Sequence, residues 1–223
     1  MNKAYIKEIF TSIQGEGLYV GEMQIFVRFC RCNLNCKYCD TDFKKDKKSV
    51  LYTPMELAKE LIHNEISSVS FTGGEPLTET DFLLELLPLI KKHKKIHLET
   101  NGTMTNELSL LIDNIDVVSA DIKLKSVTKQ ENQFLINDEF MSVAKRKECF
   151  IKVVFDENIE KDEITQIIKI AKRYKLPIIL QPMMIKDKFS TNPSKLIEIF
   201  KIFYTIYPNT RLIPQIHKFL KIL

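Results

Sequence analysis

The 223-residue chain has no apolar stretch approaching the ~20 residues that a membrane span needs. Its first residues, Met1-Asn2-Lys3-Ala4-Tyr5-Ile6-Lys7-Glu8, lack the apolar core of a signal peptide. Cysteine is scarce: there are 5, an odd number, and three of them are crowded together. That argues against a disulfide framework and makes a reducing cytoplasm the expected compartment. A charge surplus is also missing, because 33 Lys and Arg against 29 Asp and Glu leave only +4, too little to argue for nucleic acid. The one dense basic run, Lys91-Lys92-His93-Lys94-Lys95, closes the apolar stretch Phe82 to Ile90. It reads as a solvated helix end whose cations suit the C-terminal dipole. There is no internal repeat, low-complexity segment or linker. A chain of this length, 44% hydrophobic and 28% charged, is therefore expected to fold as one domain over residues 1–223.

What is present starts with the crowded cysteines. Cys32, Cys36 and Cys39 lie in Arg31-Cys32-Asn33-Leu34-Asn35-Cys36-Lys37-Tyr38-Cys39-Asp40, spaced C-x3-C-x2-C. Three thiolates so close can wrap one soft metal centre, yet a fourth ligand has no obvious source. A [4Fe–4S] cluster held by four cysteines is closed, whereas three leave one iron open to bind something else. A structural zinc knuckle is the plainer alternative, completed by Cys30, Cys149 or one of the 4 histidines. Zinc knuckles usually take two close pairs, and there is no second pair. Cys30 and Cys149 read more simply as small buried hydrophobes on strands.

Apolar, β-rich runs alternate with helix-period segments. Strands are expected at 24–29, 69–71, 96–98, 117–120, 150–155, 178–180 and 211–213, and helices at 55–64, 81–92, 107–114, 161–174 and 193–204. Thr53-Pro54 and Asn192-Pro193 each supply an N-cap followed by proline at the first helical position. The strands read Val/Ile/Phe-rich rather than cleanly alternating, which suits parallel strands covered by helices. The order predicts an α/β fold. About six parallel strands are too few for a closed eightfold barrel of ~250 residues, so a partial, open TIM-like barrel with helices outside is expected. Segments 44–49 and 126–131 read as loops.

The unusual residues fall just after the strands, where barrel-like folds gather their chemistry. They are the cysteine loop, Thr72-Gly73-Gly74-Glu75-Pro76, Glu99-Thr100-Asn101-Gly102, Asp121-Ile122-Lys123 and Gln181-Pro182-Met183. Gly73-Gly74 allows close approach of backbone to a ligand, although a lone glycine pair is more often just a turn. Asp121 and Lys123 could simply pair with each other.

The cysteine run, with Tyr38 before its last cysteine, resembles the signature of radical S-adenosylmethionine (SAM) enzymes. The resemblance implies a [4Fe–4S] cluster on Cys32, Cys36 and Cys39, with SAM chelating the open iron. It also implies SAM contacts from Tyr38, Asp40, Gly74, Asp121, Ile122, Lys123, Gln181, Pro182 and Met183. Further pieces sharpen it: Ser12-Ile13-Gln14-Gly15-Glu16-Gly17, Val27-Arg28, Cys39-Asp40-Thr41-Asp42-Phe43 and Gln215-Ile216-His217-Lys218-Phe219-Leu220. Together they resemble the 7-carboxy-7-deazaguanine synthase family, a lyase family of deazapurine (queuosine and archaeosine precursor) biosynthesis. That family implies 6-carboxy-5,6,7,8-tetrahydropterin as substrate, touched by Ile13, Gln14, Gly15, Glu16, Arg28, Thr72 and the terminal carboxylate of Leu223. It implies Mg2+ on Thr41. The expected reaction is hydrogen abstraction from the pterin by a radical derived from SAM, ring contraction and loss of ammonia. No side chain is then expected to act as a catalytic acid, base or nucleophile. An electron donor such as flavodoxin or ferredoxin and a homodimer are also implied. Arg31 departs from the pattern, where glycine is common, and Cys30 adds a thiol beside the cluster. The rivals are an activase of glycyl-radical enzymes, which would not need the Ser12–Gly17 piece, and a zinc-stapled module without catalysis.

Overall fold

The computed structural model describes residues 2–37, 39, 44–185 and 187–222. The chain opens with β1 (Ala4–Ile13), β2 (Met23–Phe29), β3 (Val50–Tyr52), α1 (Pro54–His63), β4 (Ser68–Gly73), α2 (Thr80–Ile90), β5 (Lys95–Thr100) and α3 (Thr105–Leu111). It continues with β6 (Val117–Asp121), α4 (Lys125–Thr128), α5 (Phe134–Ala144), β7 (Glu148–Phe155), α6 (Lys161–Tyr174) and β8 (Ile178–Pro182). The hairpin β9 (Met184–Ile185) and β10 (Lys188–Phe189), then α7 (Pro193–Ile206), β11 (Thr210–Leu212) and α8 (Ile216–Leu220), complete it. Nine strands form one sheet in the order β11-β8-β7-β6-β5-β4-β2-β1-β3. From β11 to β2 every neighbouring pair is parallel, while β1 runs antiparallel to both β2 and β3. This is the expected open barrel, with seven parallel strands rather than six.

Every expected strand and helix forms, with shifted ends. The proline starts hold: Thr53 and Glu56 make a reciprocal capping box, and the Asn192 side chain accepts from the Ser194 N–H. The strands do alternate, contrary to the sequence expectation. In β4, Val69 and Phe71 join the main core, whereas Ser70 and Thr72 face the other way onto Glu99. In β7, Ile151, Val153 and Phe155 join the core, and Lys152 meets Glu16 and Asp121. One face is thus apolar, packed by α1–α3 and α5–α7 into a contiguous core that runs in sequence from Ala4 to Phe203. The other face carries most of the buried polar side chains, together with a smaller apolar cluster.

Among the described residues β1, β3, α4, α5, the hairpin β9–β10 and α8 are not among the expected elements. β1 carries Lys7 and Glu8 mid-strand and pairs at the sheet's antiparallel edge. α4 occupies the start of the expected 126–131 loop, although its β-branched Val127 and Thr128 are weak helix formers. α5 starts without a side-chain cap. The basic run is only partly solvated. Lys94 is buried, and its Nζ donates to the carbonyls of Asn64 and Ile66, each at 2.5 Å.

Candidate active site

The polar face and the C-terminal ends of the parallel strands enclose a cavity of about 480 Å³. Its wall is built largely from backbone. The cysteine loop follows β2, and Cys32, Cys36 and Cys39 all line the cavity. Gly73 and Gly74 end β4 against that loop. A Cβ on Gly74 would lie 1.8 Å from the Arg31 carbonyl oxygen, and Gly73, at φ +112, would place one 2.3 Å from the Phe29 nitrogen. Neither position admits a side chain. The Gly74 N–H donates to the Phe29 carbonyl at 3.1 Å and the Glu75 N–H to the Arg31 carbonyl at 2.6 Å. Arg31 therefore serves the loop through its carbonyl, while its guanidinium points outward to Glu79 at 3.5 Å.

Glu75 ties the wall to the next loop. Fully buried, it accepts from the Leu77 N–H at 3.1 Å, the Thr100 hydroxyl at 2.9 Å and the Asn101 N–H at 2.7 Å. Burial lifts its carboxyl to about 7, against those donors, which favour the charged form. Asn101 in turn donates from Nδ2 to Asn33 Oδ1 at 2.7 Å, inside the cysteine loop. Thr100 and Asn101, just after β5, thus join the wall through Glu75.

The floor comes from the opposite end of the sheet. β1 is antiparallel, so Ile13 pairs with Met23 at the start of β2, and the loop after it crosses the polar face. Gln14 Nε2 donates to Glu99 Oε1 at 2.8 Å and to Gln24 Oε1 at 3.2 Å, while its Oε1 accepts from the Glu16 N–H at 3.0 Å. Glu99 also accepts from the Ser70 and Thr72 hydroxyls at 3.1 and 3.0 Å. The Glu16 carboxylate pairs with Lys152 and takes a hydrogen bond from Gln215 Nε2 at 2.7 Å. Burial would raise the Glu16 carboxyl, but Lys152, Gln215 and His217 outweigh it and hold it well below the usual carboxylate range. Lys152 lies 3.3 Å from Asp121 Oδ2, which also binds Lys123 at 2.9 Å. Below, Val117, Phe150 and Ile179 pack with Leu18, Tyr19 and Ile213 as a small apolar plug.

Most of the expected site residues converge here. Ile13, Gln14, Gly15, Glu16, Arg28, Thr72, Gly74, Asp121, Lys123, Gln181 and Met183 line the same cavity as the cysteines. Arg28 is oriented by Glu8, 2.6 Å from its Nε, and by the Phe10 ring, 5.6 Å away. Ile122 and Pro182 do not line the cavity: both are buried, Ile122 in the main core. Cys30 does not join the three cavity cysteines. It is buried and donates to Ser49 Oγ at 3.5 Å. Cys149 is a core residue whose thiol burial pushes up to about 12. Tyr38, Asp40, Thr41 and Leu223 lie outside the described residues. Glu99, Lys152 and Gln215 also line the cavity, and buried Glu75 braces its wall, although the sequence reading named none of the four as a site residue. Their available signal was a charged or amide side chain inside or beside an apolar run.

The donor set fits an iron–sulfur cluster and SAM. Among the described residues no group of three or more His, Cys, Asp or Glu could hold one metal ion. A cluster gives each thiolate its own iron, so its ligands need not converge on a point. Burial pushes the Cys32 and Cys36 thiols up, a bias against the thiolate that the positive charge of a bound iron would offset. Asp121 Oδ1 and Gln181 Oε1 are buried acceptors with no hydrogen-bond partner among the described residues, and both residues line the cavity. They suit a ligand that brings hydroxyl or amino donors, as SAM does.

Comparison with known proteins gives the same direction. Residues 26–191 match the family model described as the radical SAM superfamily. A 7-carboxy-7-deazaguanine synthase of Geobacter sulfurreducens is 33% identical over 97% of each chain. One of Methanothermobacter thermautotrophicus is 34% identical over 97% of this chain and 96% of its own. The crystal structure of QueE from Escherichia coli superposes with a TM-score of 0.68 at 20% identity, covering 96% of this chain and 95% of that one. Streptococcus suis SuiB bound to S-adenosylmethionine gives 0.60 at 17% identity, covering 83% of this chain and 48% of that one. At such identities the two structures speak for the fold.

Proposed function

The chain belongs to the radical SAM superfamily and, within it, to the 7-carboxy-7-deazaguanine synthases, and from that premise we propose how its residues divide the work. It is an enzyme that uses a [4Fe–4S] cluster and SAM to make 7-carboxy-7-deazaguanine. Our reading of the substrate is 6-carboxy-5,6,7,8-tetrahydropterin, with loss of ammonia. The observation that carries it is one cavity with two unlike sides: three cysteines and a glycine pair face a floor of Glu16, Glu99 and Arg28.

Cys32, Cys36 and Cys39 would hold the cluster. Gly74, Asp121, Lys123, Gln181 and Met183 would hold SAM, with Tyr38 and Asp40 as proposed partners outside the described residues. Bound together, cluster and SAM supply a radical able to take a hydrogen atom from the substrate. The chain's own part is to bind, orient and exclude water. Arg28, already held by Glu8 and Phe10, offers a planar fork to the substrate carboxylate. The amide of Gln14 is spent on Gln24, Glu99 and the Glu16 backbone, so Gln14 shapes the floor, and the Glu16 and Glu99 carboxylates are the acceptors for a planar ring edge. Ile13, Gly15 and Thr72 complete the proposed substrate contacts. Mg2+ on Thr41, a contact from Leu223, a single domain over 1–223, a homodimer, a flavodoxin or ferredoxin as donor, and a cytoplasmic location complete the proposal. Among the described residues no helix is long and apolar enough to cross a membrane.

Anaerobic assay of the reconstituted protein with SAM, reductant, Mg2+ and carboxytetrahydropterin tests this. Formation of 7-carboxy-7-deazaguanine, weakened by chelating Mg2+, is the expected result. SAM cleavage that leaves the pterin unconsumed would overturn the substrate assignment, and activity indifferent to chelation would remove Mg2+.

A further inference from the structure

Lys152 is a buried ammonium in the middle of β7, its side chain 9% exposed. It does not lie in any motif after a strand. Its charge bridges two carboxylates that reach it from opposite ends of the sheet. Glu16 arrives on the loop after antiparallel β1, and Asp121 stands at the C-terminal end of β6, directly beside Lys152 in the parallel register. The remaining Glu16 oxygen is held by Gln215, so the carboxylate is fixed from both sides. Lys152 links the floor of the cavity to the wall that carries Asp121, Lys123 and the cysteines.

We propose that Lys152 is a positioning residue for substrate: it fixes the Glu16 carboxylate relative to Asp121, and so sets where the ring edge sits against the cofactor wall. The proposal rests on the pterin reading above. It is a role exerted through Glu16, so its effect on substrate should vanish when Glu16 can no longer pair.

Isothermal titration of carboxytetrahydropterin into reconstituted protein with SAM and no reductant measures binding without turnover. In the Glu16 background, Lys152→Met should weaken binding roughly 10- to 100-fold, and in the Glu16→Gln background by about 2-fold or less, the signature of a coupled pair. Equal losses in both backgrounds, or no loss in the first, overturn the inference while leaving the substrate reading intact. If wild-type protein does not bind the pterin, both fall. Lys152→Met alone leaves buried carboxylates uncompensated and could fail to fold. Comparing Glu16→Gln with the double variant then decides: affinities within about 2-fold support the pairing, and a further tenfold loss overturns it.

Discussion

The two sides of the cavity are made of different material. The wall is backbone against backbone: Gly74 on the Arg31 carbonyl, the Glu75 N–H on the same carbonyl, and a buried Glu75 gathering two N–H groups and a hydroxyl. The floor is side chain against side chain: Gln14, Glu16, Glu99, Lys152 and Gln215, with alternating roles as donor and acceptor. A wall of that kind has no room for an added carbon, and it responds to change by failing as a unit. A floor of that kind responds in steps, because each polar contact can be removed by itself at a cost of about 1 kcal/mol when neutral and more when charged. On the proposed assignment, insertion of a carbon into the wall should therefore be far costlier to cofactor placement than loss of one floor contact is to substrate placement.

Four substitutions press on that contrast. Gly74→Ala should have the largest effect, because its Cβ would meet the Arg31 carbonyl oxygen at 1.8 Å. Overpacking of that kind should cut reductive SAM cleavage by about a hundredfold, measured as 5′-deoxyadenosine released without substrate. Cleavage within a few-fold of wild type would show that the wall can flex. On the floor, Arg28→Ala should raise the substrate KM about tenfold, the loss of a charge-assisted hydrogen bond, with a smaller effect on SAM cleavage. If cleavage falls as far as binding, Arg28 belongs to the wall. Glu99→Gln turns an N–H toward one of the three donors that Glu99 accepts from, and should cost about fivefold in KM. An unchanged KM would show that the floor needs only the shape of that side chain.

The smallest expected effect is on stability. Glu75→Gln should lower unfolding free energy by about 1–2 kcal/mol, since an amide cannot accept from every donor there. Burial lifts the folded-state pKa of Glu75 to about 7, above the ordinary carboxyl range, so the wild-type fold favours the protonated form. That contribution is full below the unfolded value and is lost as pH rises through about 7. The cost of the variant should therefore shrink between about pH 5 and about pH 8 in urea unfolding. A cost that grows over the same range would show that the three donors outweigh burial.

The wall was legible in sequence because its parts are local. A cysteine spacing, a glycine pair and a residue after a strand end can be read in a window of ten. The floor was half legible. Ser12–Gly17 carried a resemblance, but nothing nearby said that it crosses beneath the parallel strands, because that follows from β1 running antiparallel, and β1 itself was not read as a strand. Lys152 looks like an interruption in Phe150–Phe155, and Glu99 like the end of Ile96–Leu98, until alternation shows one face packed on helices and the other open to the cavity. Alternation is masked in short runs of three to six residues whose cavity-side positions include Phe26 and Val154 as well as Thr72 and Ser119. Ile122 and Pro182, for which the resemblance implied SAM contacts, are buried and do not line the cavity.

The hydrogen bond between Glu16 and Gln215 spans 199 positions, and the Ile216 N–H meets the Gly15 carbonyl beside it at 2.9 Å. Contacts so distant in sequence are slow to find and form after local ones. During synthesis, the cysteines, the glycine pair and the strands that carry them all leave the ribosome well before Gln215 does. The loop that forms the cavity's floor can therefore be locked in place only once the segment around Gln215 has been made, whereas the cysteine loop and the glycine pair meet within the first third of the chain.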